Sequence, residues 1–497
     1  MLNEFLIMAL LAAGSVSGAW LLGVRSTLLA IPAGLIFATA ARILVFATCN
    51  LFSIREFSAG AFYAVLAAAL LIAALKSRVG LYRPVVIAVA TGLASVFATR
   101  IIGFAATRHG DSYWILAVAH LMQKGGDMTI LDGHTPLKRG FAYPLLLSLG
   151  SDDQWLTAIT PYIFFALICA VAWLVLSLTK KYSSVIRSIV LSLMAVLSFS
   201  ATLPLRAIFY INGHTLFAVA LTVAAGVSVL AIRDQMLTRS NLLVICAAVF
   251  VATSTRAEGV AIMAVAILPL VGSRFVKRKQ VALVLTSLTA SFSIWQATYN
   301  SYLIPNGMPW VVFMLALIVA GLLPALAWFD WLRHRAFTIS VFALAAIVFA
   351  AEIKWHTSFN KGLQALFFNL IYNRDTHTIS SGGWGLIFGS FILLLCLAAS
   401  GKVRLDLRRG QSWISTTLSP EFKLLMQISI ALILGSLISK MLDGGQFGHP
   451  DLGRIGWSDS LNRMWLQSFG IFVVTVAVGL IQNDKIWQRS GAKNKGE

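Results

Sequence analysis

Asp111 stands in the run Arg108-His109-Gly110-Asp111-Ser112-Tyr113-Trp114, directly after a long apolar segment. A carboxylate so placed suits two roles. It can be a general base that takes the proton of a reacting hydroxyl, or an N-cap that accepts from the first free N–H groups of a helix. The roles are compatible, because a cap fixes the carboxylate in place. Farther on, Lys138-Arg139-Gly140-Phe141-Ala142-Tyr143-Pro144-Leu145 sets two adjacent cations before an aromatic and a proline. Adjacent cations suit a phosphodiester or pyrophosphate, and equally suit lipid headgroups. A second constellation is Ser254-Thr255-Arg256-Ala257-Glu258-Gly259. Arg256 and Glu258 either close a turn as a local pair or face a wet cavity, where Arg256 holds an anion. Arg463, before the last apolar run, either snorkels or supplies a second phosphate ligand.

The elements that carry these residues follow from composition. The chain has 497 residues, 58% hydrophobic and 12% charged, with a mean hydropathy of +0.83. Soluble domains carry about 25% charged residues. Apolar runs recur along the whole length, and a spanning helix needs about 20 apolar residues. Runs of that kind lie near 5–22, 27–49, 59–75, 84–105, 154–179, 184–200, 213–231 and 241–255. They continue near 257–272, 280–297, 310–329, 337–353, 385–400, 421–441 and 464–482. The expected fold class is an all-α polytopic membrane protein of about fifteen transmembrane helices. The first run is kept as a span because only Glu4 precedes it, with no basic region typical of a signal peptide.

Charge fixes the expected orientation. Arg25, then Lys76, Arg78 and Arg83, then Lys180 and Lys181, then Arg233 and Arg239 fall in alternate loops. The same alternation continues through Arg274, Lys277, Arg278 and Lys279, then Arg333 and Arg335, then Lys402 to Arg409, and the tail from Lys485. By the positive-inside rule these loops are cytoplasmic, which puts the N-terminus outside and the C-terminus inside. The net charge of +20 and pI near 10.2 are thereby explained without nucleic acid.

The remaining loops are the long ones: 106–153, 201–212, 298–309, 354–384 and 442–463. Long loops on a rigid scaffold carry function, so the chemistry is expected on the outer face. In 112–124 the apolar residues Trp114, Ile115, Val118, Leu121 and Met122 follow helical spacing, which predicts an interfacial helix. Asp127 and Asp132 beside glycine read as turn residues. Arg206, Tyr210, Asn212 and His214 flank the next outer turn. The aromatic run around Phe367, Phe368 and Tyr372 is either an interfacial anchor or a lid. Cys49, Cys169, Cys246 and Cys396 are isolated, and neither metal-ligand spacing nor a glycine-rich phosphate loop occurs.

The first outer loop resembles that of the GT-C superfamily, integral-membrane glycosyltransferases that use polyprenyl-phosphate-linked sugars. The likeness rests on Asp111 after a span, the helix Ser112–Lys124, the turn Gly126-Asp127, and Lys138-Arg139 through Tyr143-Pro144. Ser112 stands where many members have a second acidic residue, so a divalent-metal requirement stays open, and the three helices before the loop-bearing span imply a separate branch of the superfamily. The resemblance implies a catalytic region over 84–482, extra transmembrane helices in 1–83, and a basic tail in 483–497. It implies inverting sugar transfer to a glycan, lipid or protein acceptor, with Asp111 as base. Arg108, His109, Lys138, Arg139, Tyr143, Arg256, Glu258 and Arg463 would bind substrate. No cofactor is implied, and the partners would be the donor lipid, the acceptor and the bilayer, in a bacterial plasma membrane. A surface-polysaccharide polymerase or ligase would share these loops without needing the carboxylate. A transporter would show internal repeats and mid-span carboxylates, which are lacking.

Overall fold

The computed structural model describes residues 2–76, 80–101, 110–125, 140–150, 153–201, 213–256, 259–298, 318, 321–335, 346, 386–387, 389–393, 420–442 and 455–479. Among these residues the chain is all-helical, without a strand. The helices are α1 (Leu2–Leu21), α2 (Thr27–Leu51), α3 (Ser58–Lys76), α4 (Tyr82–Ile101), α5 (Gly110–Gln123), α6 (Ala142–Leu147) and α7 (Asp153–Leu178). They continue as α8 (Ser184–Ser200), α9 (His214–Asp234), α10 (Arg239–Thr255), α11 (Gly259–Val271), α12 (Arg278–Thr298), α13 (Pro420–Leu442) and α14 (Ile455–Gly479).

Among the described residues, six helices are long and apolar enough to cross a membrane: α1 to α4, α7 and α9. Helices α8, α10, α11, α13 and α14 add shorter apolar stretches. Their ends lie within a few residues of the limits read from hydropathy, with one clear exception. The final helix begins at Ile455, so Trp457 to Arg463 are helical rather than loop. The expected spans 337–353 and 385–400 lie mostly outside the described residues. The end of the expected span 310–329 tightens into a 3₁₀ segment, Leu323–Trp328, with Pro324 in its first turn.

Short polar side chains set several helix starts. Ser26 accepts from the Leu29 N–H, Ser183 from Ile186 and Thr238 from Asn241, each satisfying one orphan donor of its helix. Hydroxyls inside the helices bond back to the preceding turn, as Thr39 does to the Leu35 carbonyl at 2.7 Å. That solution keeps a polar atom satisfied in an apolar helix.

The chain divides into two compact units, Met1–Trp173 with Arg206–Ser340, and Leu174–Leu205 with Val341–Glu497. In the first, α1 packs on α2, α3 and α4, and α2 also meets α6, α9, α10 and α12. Small residues allow the close crossings. A Cβ on Gly34 would lie 2.8 Å from the Ser15 main chain. The N-terminal helices are therefore built into the same unit as α5 and α6. In the second, α14 packs on α8 and α13, and the Ser429 and Thr475 hydroxyls bond at 3.0 Å.

Candidate functional site

The segment 140–150 is the centre of the site. Sequence reading placed it within an outer loop; it forms the short helix α6, every residue of which is buried. The last carbonyls of a helix need donors, and here three other helices supply donors to the end of α6 and to the two residues Leu149 and Gly150 beyond it. Arg42 of α2 donates from Nε to the Leu145 carbonyl at 3.3 Å and from Nη2 to the Ser148 hydroxyl at 3.0 Å. Tyr63 of α3 donates to Leu149 O at 2.5 Å, and Gln123 of α5 to Gly150 O at 2.7 Å. Arg42 is fully buried, with Phe46 and Phe62 on either side at 5.9 Å from the ring centres.

The start of α6 is held from a different direction. The Phe141 N–H donates to the Ser254 carbonyl at 2.9 Å. Gly140 has φ of +62°, and a Cβ there would lie 2.3 Å from Ser254 O. Only glycine fits both the left-handed backbone and the contact. The end of α10 thus abuts Gly140, the residue that directly follows Lys138 and Arg139 in the sequence.

Arg256 ends α10 in an extended conformation, and its carbonyl accepts from the Gly259 N–H at 3.0 Å. Its Nη1 lies 3.4 Å from Nε2 of His214, the first residue of α9. A guanidinium only donates, so Nε2 accepts and the imidazole proton is assigned to Nδ1. The preceding residue, Gly213, packs on Thr255 and Tyr143. Three separate segments (140–143, 213–214 and 254–256) therefore converge. The N-terminus of α9 has no side-chain cap, so its positive dipole end lies beside the Arg256 guanidinium. A helix N-terminus next to a guanidinium suits an anionic oxygen.

Each residue expected at the site has its own placement. Asp111 lies in the first turn of α5 rather than before the helix. Helix α5 buries Ile115, Leu116, Val118, Ala119 and Met122 and packs on α6, with His120 and Gln123 half-buried and Lys124 exposed. It ends at Gly125, whose φ of +64° closes the helix in the usual left-handed way. Tyr143 is 1% exposed and its hydroxyl lies 3.0 Å from Thr160 Oγ1. Burial pushes its phenol well above the ordinary range. It anchors α6 and offers no open surface in this conformation. Arg463 lies within α14. Arg108, His109, Lys138, Arg139 and Glu258 lie outside the described residues, as do Asp127 and Asp132.

The residues that sequence reading undervalued are His214, Arg42, Tyr63 and Gln123. His214 carried one signal, its position at a helix start beside an outer turn. The other three carried none, since their partners are main-chain carbonyls remote in sequence. Among the described residues, no three His, Cys, Asp or Glu side chains converge as metal ligands. Comparison with protein-family models, curated proteins and solved structures yields no match.

Proposed function

We propose that this chain is a membrane glycosyltransferase that moves a sugar from a polyprenyl-phosphate donor to an extracytoplasmic acceptor. The observation that carries this reading is the abutment of Gly140, directly after Lys138-Arg139, on the turn that presents Arg256 to His214. The GT-C-like order of residues from Asp111 to Pro144 adds to it. Helices α10 and α11 have 17 and 13 residues, or about 25 and 20 Å of helix against a hydrocarbon core of about 30 Å. A hairpin that short holds Arg256 below the outer surface, where a cation needs an anion or water.

In this reading, Asp111 accepts the proton of an acceptor hydroxyl, and the oxygen attacks the anomeric carbon with inversion. The bond from that carbon to the phosphate oxygen breaks, and its electron pair leaves on the lipid phosphate. Lys138, Arg139 and Arg256 stabilise the charge that develops there. The orientation consistent with the basic loops has the N-terminus outside, the C-terminus inside and this site on the outer face.

The test compares two variants in vesicles supplied with polyprenyl-phosphate sugars and an envelope-derived acceptor. Asp111→Asn keeps shape but cannot take the proton, so transfer should fall at least about 100-fold with normal expression. Arg256→Ala should instead weaken donor binding. Full activity in the Asn variant would remove Asp111 as the base and return a polysaccharide polymerase or ligase to first place.

A further inference from the structure

A separate cavity of about 270 Å³ lies at the basic end of α11 and α12. Ile267, Leu268, Val271, Leu285, Leu288 and Leu326 wall it, and among the described residues Arg333 is the one charged residue in its lining. The walls come from α11, α12 and the 3₁₀ segment Leu323–Trp328, which packs on α12. Arg333 is only 5% exposed. Its Nη2 donates to Ser273 O at 3.3 Å, and Nη1 stands 3.8 Å from Asp330 Oδ1. Its Nε is buried without a partner among the described residues.

The rim is strongly cationic. Arg274, Lys277, Arg278, Lys279 and Arg335 are exposed there. Asp330 is the only carboxylate in 272–280 and 330–335, and it is already engaged by Arg278. Beside the cavity, Leu322, Trp328, Phe329 and Trp331 are exposed. Exposed tryptophans and aliphatics next to a basic rim are the pattern of a membrane–water boundary.

We propose that this cavity binds an anionic phospholipid, with part of one acyl chain between α11, α12 and the 3₁₀ segment and the phosphate on Arg333. Aliphatic walls exclude a small soluble anion as the main occupant, because nothing else in the lining would replace its water. A zwitterionic lipid would bring a second cation into a rim that already has an excess of them. The positive-inside rule puts this end in the cytoplasmic leaflet, where anionic headgroups are available. The inference does not depend on the glycosyltransferase reading, since it uses none of those residues.

Native mass spectrometry of the full chain in neutral detergent tests it, with phosphatidylglycerol and phosphatidylcholine of the same acyl chains as probes. The tightest-bound lipid should be phosphatidylglycerol, by at least about tenfold over phosphatidylcholine, which is the scale of one charge-assisted contact. Arg333→Gln should weaken phosphatidylglycerol binding by at least about tenfold, because it removes the cation that meets the phosphate. Leu326→Trp puts a bulkier ring into the cavity and leaves Arg333 in place, and it should weaken the tight lipid even if Arg333→Gln folds poorly. Glycerol phosphate at millimolar concentration should not compete. Equal retention of the two lipids, or tight phosphatidylglycerol binding in the Leu326→Trp protein, overturns the proposal. Competition by glycerol phosphate alone overturns it too, in favour of a soluble anion.

Discussion

Arg42 and Leu145 lie 103 residues apart, and the Arg42 Nε donates to the Leu145 carbonyl at 3.3 Å. This contact ties the second transmembrane helix to the end of α6, while Phe141 ties the start of α6 to Ser254. The short helix is thereby braced at both ends by segments distant in sequence. Gly140 and Phe141, which lead into the helix, take their position from that brace.

Arg42→Ala should destabilise the protein by about 2–4 kcal/mol. The change leaves a void beside Phe46 and Phe62 and removes the hydrogen bonds that Arg42 makes to the Leu145 carbonyl and the Ser148 hydroxyl. Thermal unfolding in detergent would measure it. A variant as stable as the parent would show that the brace contributes nothing.

Gly140→Ala should cost at least about 2 kcal/mol, because alanine disfavours a positive φ and its Cβ would meet the Ser254 carbonyl. The same change at Gly60, where a Cβ meets nothing within 4 Å, should be neutral or stabilising. Paired melting curves of the two variants decide the matter.

Arg256 and His214 should act as one unit. Removing Arg256 should weaken donor binding by about 10- to 100-fold, the scale of a hydrogen bond to a charged group. His214→Ala should weaken it less, and the double variant should fall short of the sum by more than about 0.5 kcal/mol. His214→Gln keeps an acceptor for the guanidinium and should retain most binding. Strict additivity would separate the two residues.

Asp330→Asn should raise affinity for phosphatidylglycerol a few-fold. The Arg278 hydrogen bond holds the Asp330 carboxyl below its ordinary range, so it is ionised at neutral pH and offsets the rim cations. Removing that charge frees Arg278 and strengthens attraction for an anionic headgroup. Native mass spectrometry at low salt reads the change, and a fall in affinity would contradict it.

Single cysteines placed at Ser112 and Gln411 test the orientation. The first should react with an impermeant thiol reagent from outside intact cells, and the second only after lysis. Labelling of both from outside would break the alternation of basic loops on which the topology rests.

The limits of most described helices were legible in the sequence, because a helix crossing lipid must be apolar for about 20 residues and must end at polar residues that stop or cap it. Ser26, Ser183 and Thr238 mark such starts without any tertiary information. The amphipathic period of 112–124 likewise identified α5, although its buried face packs on α6. What only tertiary structure decided was α6. Its six residues are too few to announce a helix, and its stability comes from Arg42, Tyr63 and Gln123, whose acceptors are main-chain carbonyls with no residue identity to read. The pairing of Arg256 with His214 was equally hidden, since 42 residues separate them and hydropathy says nothing of which helix ends meet. Local chemistry writes apolar length into a sequence, whereas the meeting of chain segments depends on how helices pack, which close approaches at Gly34 and Gly140 permit.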